Sequence, residues 1–196
     1  MIINTILNDG TPICIRQVRE DDEQRLKDGI AALSKRSRYL RFFSGMRVPP
    51  QSVIDKLIDV DGRDHIAWGA LLSKAEGHPA IGIVHAFREK DDPHSAEFSV
   101  GVIDEFHGRG VGRLLTAVLL LDCWHERYSE LHLHILADNS GALALARLLG
   151  AHQQGSDGPV IELEIGVEDA IEALRQVEDV PGLPPIFRAF EERATI

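Results

Sequence analysis

Residues 95–121 read SAEFSVGVIDEFHGRGVGRLLTAVLLL. Within them Gly108, Gly110 and Gly112 alternate with Arg109 and Val111, and Arg113 follows. Glycines at this spacing let the backbone curl around an anion without Cβ collisions. The leucine-rich run behind them predicts a helix whose first amides have no intrahelical acceptors, and the positive end of its dipole lies at the same place. With the two arginines beside it, such a junction suits a phosphate or pyrophosphate.

Three kinds of ligand use this device. A Walker loop needs Gly-Lys-Ser/Thr after its last glycine, and Gly112-Arg113-Leu114 supplies no hydroxyl for magnesium. A dinucleotide loop needs Gly-x-Gly-x-x-Gly and an acid about 20 residues on; it stays open, although the spacing differs and Asp138 lies too far along. Third, the run from His107 to Gly112 resembles the Gln/Arg-x-x-Gly-x-Gly/Ala signature of the GNAT superfamily of N-acetyltransferases, with His107 in the first position. Ten residues before it, Ala96-Glu97-Phe98 is similar to the place where many members carry a general base. Asn139, with an alanine-rich segment and Leu149-Gly150 behind it, resembles their second coenzyme A segment. Residues 37–43, Ser-Arg-Tyr-Leu-Arg-Phe-Phe, resemble the bacterial protein-lysine acetyltransferase (Pat-like) branch.

The resemblance implies an α/β (α+β) fold: a mixed, largely antiparallel central sheet flanked by helices, with the family's strands 4 and 5 splayed to take acetyl-CoA. It implies acetyl-CoA as cosubstrate and no metal. The diphosphate would lie on His107, Gly108, Arg109, Gly110, Val111, Gly112 and Arg113. The pantetheine arm would run along Val100, Gly101 and Val102, whose amides also serve the acetyl oxygen, and Asn139 would complete the site. Glu97 would be the base, in a half-buried cleft that raises its pKa; it is needed because a free lysine amine, pKa about 10.4, is mostly protonated at neutral pH. Counting from Asn139, the family's thiolate-protonating tyrosine falls on Ala146, which leaves no dedicated acid, although a thiol of pKa about 8.5 departs as thiolate at modest cost. His107 would either strengthen phosphate binding when protonated or cap the turn. A protein lysine is the leading acceptor, and a small amine shares every cofactor residue. A non-catalytic acyl-CoA-binding regulatory module is the third reading, motivated by Ala146 and His107.

Other elements must hold these groups in place. Residues 13–18 alternate as a first strand, and Glu20-Asp21-Asp22-Glu23 supplies the acidic first turn of a helix to residue 33. Residues 33–43 mix four cations with Tyr39, Phe42 and Phe43 and read as a short amphipathic helix, aromatics buried and arginines outward, rather than as a base-stacking surface. Helices bordering the acceptor site in the family occupy this part of the chain. Pro49-Pro50 opens a further helix to residue 60. Residues 65–72 and 80–87 form an antiparallel hairpin that the strand carrying Glu97 continues, without the intervening helices of a dinucleotide fold. The helix after the turn, residues 111–128, is apolar around much of its circumference. In the strand at 131–136, His132 and His134 share a face and could ligate a metal, but no third ligand accompanies them, and they read as hydrogen-bonded strand residues. Asn139 caps a helix to Gly150, and residues 151–155 and 160–165 pair across Asp157-Gly158. Residues 1–166 form the catalytic domain. Residues 167–196 form a C-terminal extension, a helix at 167–177 and a tail from Pro181, that covers the sheet or meets a second copy in a homodimer.

The 196 residues suit one full-sized core. A formal net charge of −10 opposes nucleic acid and suits cationic partners such as amines or lysine side chains. No apolar run reaches the roughly 18 residues of a membrane span, and the N-terminus lacks a basic region followed by an apolar stretch, so a cytoplasmic location is expected. Cys14 and Cys123 are too few for a disulfide framework and read as reduced fillers.

Overall fold

A computed structural model describes residues 1–43, 46 and 49–193; the last three residues of the expected extension lie outside the described residues. The chain runs β1 (Ile2–Ile6), β2 (Pro12–Gln17), α1 (Glu23–Ala32), α2 (Lys35–Phe42), α3 (Gln51–Ile58), β3 (His65–Leu72), β4 (Ala80–Arg88), β5 (Ser95–Val102), α4 (Val111–His125), β6 (Glu130–Leu136), α5 (Ser140–Leu148), β7 (His152–Asp157), β8 (Val160–Gly166), α6 (Val167–Arg175) and α7 (Leu183–Arg193). The strands make one sheet in the order β1-β2-β3-β4-β5-β6-β8-β7. All neighbours are antiparallel except β5 and β6, which α4 joins as a crossover. This is the mixed, largely antiparallel sheet predicted from the sequence. The parallel ladder pairs only Ser95 with Glu130, Ala96 with Leu131 and Glu97 with His132; beyond these rungs each strand continues without the other.

One sheet face carries Trp68, Val84, Ala86, Ala96, Phe98, Leu131 and Leu133 into the main core against α4. Residues of α6 and α7 belong to the same core, which is why α4 can be apolar on its outer side as well. Leu114, Leu115, Leu119 and Leu120 are completely buried, each contributing about 1.5–3 kcal/mol. The one carboxylate in this helix, Asp122, is buried too, and accepts from Trp68 Nε1 at 2.9 Å, Gln17 Nε2 at 3.2 Å and Arg193 Nη1 at 2.9 Å. On the opposite face α1 and α3 build a smaller core of Leu26, Ile30, Ile54 and Leu57, with Ile83 and Phe87 packed against it.

Some elements differ from their sequence reading. The first strand is β1, not the one at 13–18; its alternating Ile3 and Thr5 face inward and pair it with β2. The acidic segment at 20–22 is a separate turn of 3₁₀ helix that precedes α1. The helix after the glycines stops at His125, three residues early, because Arg127 takes a positive φ of 66°. Within the extension, the tail from Pro181 is helix α7, with Leu183, Ile186, Phe187 and Phe190 buried, as a helical extension packed on the domain would have them.

Asp122→Ala would leave the buried indole N–H and amide donors dry. We expect it to lower the unfolding free energy by about 2–4 kcal/mol in urea titrations; a loss below about 0.5 kcal/mol would show that Asp122 does not join α4, β3 and α7.

Candidate active site

The glycine-rich turn is the entry to α4. Gly108 and Gly110 have φ of +71° and +92°, values that side chains with a Cβ rarely adopt. The first intrahelical bond runs from Leu114 N to Gly110 O at 3.1 Å, so the amides of Val111, Gly112 and Arg113 have no acceptor within the helix. A Cβ on Gly82 of β4 would lie 3.0 Å from both Val111 and Leu115, so this glycine lets the helix start close against the sheet.

A part of the site that the sequence reading passed over is the β1–β2 hairpin. Its turn, Asn8-Asp9-Gly10, leans on the glycine loop: Asn8 N donates to Arg109 O at 3.1 Å, and a Cβ on Gly110 would sit 2.6 Å from Asn8 Oδ1. The two arginines beside the loop are both engaged. Arg109 donates to Asp9 and, at 2.9 Å, to Thr11 Oγ1, with its guanidinium over the Phe106 ring. Arg113 donates to Asp179 at 2.7 Å. His107 donates from Nε2 to Val102 O at 2.9 Å and so braces the turn against the end of β5.

Along β5 the faces alternate. Phe98, Val100 and Val102 pack against the main core, while Glu97, Ser99 and Gly101 face the α1–α3 side. Ile103 N bonds Ile81 O, so by the alternation of an antiparallel ladder the Gly101 amide is committed to β4, whereas the amides of Val100 and Val102 point to the unpaired edge. Glu97 is exposed, where the sequence predicts a half-buried carboxylate. It sits on the last rung shared with β6, beside His132.

Helix α2 lies against this face with its predicted polarity kept in part: Phe42 packs on the α1–α3 core and Lys35 and Arg36 face outward, as expected, but other positions are exchanged. Tyr39 and Phe43 are exposed, whereas Arg38 is buried and donates to Leu33 O and Ala31 O, the free carbonyls at the end of α1. Arg41 reaches Ser99 Oγ at 2.7 Å. Desolvation pulls its guanidinium down to about 10, opposed by the charge of Glu97, so it remains a cation. The arginines turn inward because they meet acceptors there that aromatic rings could not satisfy. The start of α2 is anchored by Asp104, which accepts from Ser34 N (2.9 Å), Ser34 Oγ (2.7 Å) and Ser37 Oγ (2.7 Å). Partial burial pushes the Asp104 carboxyl up, but these hydrogen bonds outweigh it and hold the group at about 2.

Of the remaining predicted residues, Asn139 caps α5 by accepting from Ala142 N at 3.1 Å. Ala146 is buried in the main core, so the position counted out for a tyrosine has no room for one. His132 is hydrogen-bonded as predicted, through Nδ1 to Glu89 at 2.6 Å, with Nε2 3.5 Å from Glu164. The sequence reading found no third metal ligand, yet the fold brings Glu130, His132 and Glu164 together, their ligand atoms all within 4.8 Å; His134 is not among them. With Glu97 on the same rung as His132, this end of the sheet is rich in carboxylates.

A family model described as an acetyltransferase (GNAT) domain matches residues 13–152. The chain is 28% identical over 153 residues to acetyltransferase Pat of Mycolicibacterium smegmatis, an alignment covering 78% of this chain and 45% of that protein. The chain thus spans about half the length of this curated relative. In structure it is similar to the GNAT domain of S. lividans PAT, with a TM-score of 0.77, 22% identity, and 84% and 96% of the two chains covered. It is also similar to a spermidine N-acetyltransferase from Vibrio cholerae, with a TM-score of 0.63, 16% identity, and coverages of 81% and 98%.

Gly110→Ala should cost about 1–3 kcal/mol of stability in chemical denaturation, from the positive φ and the contact with Asn8; an unchanged midpoint would show that the loop takes another conformation. Asp104 gives a pH dependence of known sign. Its pKa is lowered on folding, so its contribution is complete above the unfolded value of 3.8 and is lost as pH falls through about 2. Between about pH 5 and about pH 2, wild-type stability should therefore fall more steeply than that of Asp104→Asn, and parallel curves would refute the anchor.

Proposed function

Since the chain belongs to the GNAT acetyltransferase family, we propose that it transfers the acetyl group of acetyl-coenzyme A to an amine, with a protein lysine as acceptor and Glu97 as general base. The observation that carries this reading is the position of Glu97 at the last rung of the β5–β6 ladder. From that rung onward, among the described residues, β5 has a free edge on the β6 side, and the edge leads on to the glycine turn. Residues 97 to 102 span about 16 Å of extended strand. An acyl carrier with its diphosphate on the amides of Val111, Gly112 and Arg113 can lay its arm beside Val100 and Val102 as an added strand, its thioester directed toward Glu97.

In the reaction the neutral amine nitrogen attacks the thioester carbonyl carbon. A C–N bond forms, the C–S bond breaks, and the amine proton passes to the Glu97 carboxylate. Strand amides receive the negative charge on the acetyl oxygen. The coenzyme A thiol, with a pKa of about 8.5, leaves as thiolate and takes its proton from solvent, so no tyrosine at Ala146 is required. Support for a cationic acceptor comes from Glu89, Glu97, Glu130 and Glu164 gathered near one another and from the net charge of −10. Support for lysine comes from the Pat-like segment at 37–43, which forms α2 beside Glu97 and Ser99, and from the similarity to Pat.

Glu97→Gln should lower turnover at least about tenfold and leave coenzyme A affinity within about twofold. Equal turnover would remove Glu97 as the base. Labelled acetyl-coenzyme A offered with a cell lysate and with a panel of small amines reads the acceptor: label in protein supports lysine, label only in small amines replaces it, and binding without any transfer replaces the enzyme reading.

A further inference from the structure

The α1–α3 face of the sheet holds a buried pair of histidines that the chemistry above does not use. His65 Nδ1 lies 2.6 Å from Asp59 O, and its Nε2 lies 2.9 Å from His85 Nδ1. His85 is completely buried, and its Nε2 has no partner among the described residues. The protons in this chain are fixed by chemistry. A carbonyl oxygen only accepts, so His65 carries its proton on Nδ1 and offers a lone pair at Nε2. His85 must then donate from Nδ1, which leaves a lone pair on its Nε2. Burial lowers the pKa of both rings, that of His85 strongly, with the cations Arg41 and Lys56 adding to the effect, so the pair stays uncharged at neutral pH.

His85 lines a cavity of about 70 Å³ between the sheet and the helices α1, α2 and α3, walled by Leu26, Ile30, Phe42, Leu57 and Ile83. The guanidinium of Arg41, also on the wall, is held by Ser99, and Arg16, Asp22 and Arg25 close the space as an ion-paired cluster. Beside the His85 acceptor the wall carries the cations Arg41 and Arg25, and apolar side chains make up most of the rest. A ligand with an apolar body and one donor suits this lining. On the strands His85 pairs with Ser99 and Phe87 with Glu97, so His85 and Glu97 are diagonal neighbours on one face, about 7–8 Å apart.

We infer that His85 determines acceptor specificity: its Nε2 accepts a hydrogen bond from an N–H or O–H group of the acyl acceptor, whose apolar part fills this cavity. The inference rests on the reading of the chain as an amine acetyltransferase. Because the positive charges of Arg41 and Lys56 act on the ring, the donor that suits it is uncharged, which is also the form in which an amine attacks.

The test uses the full chain with n-butylamine, an alkyl chain bearing one donor group, as probe. His85→Phe keeps a ring and removes the acceptor; His85→Gln restores an acceptor on a different shape. We expect His85→Phe to raise the KM for n-butylamine about fivefold or more, the KM for acetyl-coenzyme A to stay within about twofold, and His85→Gln to recover part of the loss. A packing role predicts the reverse order, with Phe tolerated better than Gln. In ¹⁵N-labelled wild type, the unprotonated Nε2 resonance of His85 should move when the probe is added. If the resonance moves but no acetyl is transferred, the acetyltransferase reading fails and the acceptor role of Nε2 stands. If acetyl is transferred while the resonance stays still and His85→Phe keeps the wild-type KM, the inference is overturned.

Discussion

The burial of α4 is the constraint on which the site depends. A helix that is apolar almost all round cannot lie on a sheet with one side in water, and here β3–β5 cover one side while α6 and α7 cover the other. The magnitudes show what fixes its place. Each completely buried leucine is worth about 1.5–3 kcal/mol, whereas a charge at a helix end is worth about 0.3–1 kcal/mol. Packing therefore sets where α4 starts, and the free amides at Val111, Gly112 and Arg113 come with that position. Gly82 allows the close approach, and Gly110 allows the sharp entry.

The same helix creates the free strand edge. As a crossover it makes β5 and β6 parallel neighbours, and β6 meanwhile spends its whole length on β8. With only three rungs between them, β5 keeps an edge from residue 98 onward that is unpaired among the described residues, and Glu97 marks where that edge begins. A long exposed edge ordinarily invites unwanted pairing. Here it is short and runs into the glycine turn, with His107 tying the carbonyl of Val102.

Much of this was legible in the sequence, because alternation and turn residues act locally. The meander through β5, the glycine turn, the capped helix at Asn139 and the β7–β8 hairpin all follow from period and punctuation. What was missed depends on distant partners. Ile3 and Thr5 alternate, and Asn8-Asp9-Gly10 is a turn signal, but only the fold shows that this hairpin supports Arg109 and Gly110. The amphipathic reading of α2 holds at Phe42 and fails at Tyr39 and Phe43 for a related reason. Hydrophobicity sent Tyr39 and Phe43 inward, whereas the carbonyls of α1 and the hydroxyl of Ser99 required Arg38 and Arg41 there instead. His132 looked short of ligands because Glu130 is adjacent only across the same strand face and Glu164 comes from β8.

The two arginines beside the turn also have partners that no count of charges reveals. Arg109 and Arg113 seem by spacing to be its cations, yet the fold gives them to Asp9 and Asp179. Both pairs are partly open to water and therefore weak, so the diphosphate of the proposed acyl carrier, with its greater charge, can exchange for either carboxylate. The amides have no such freedom, since the burial of α4 holds them in place. Affinity at this turn should accordingly be set first by the backbone, with the arginines following the ligand, and that is why glycine spacing rather than arginine count is the informative part of the motif.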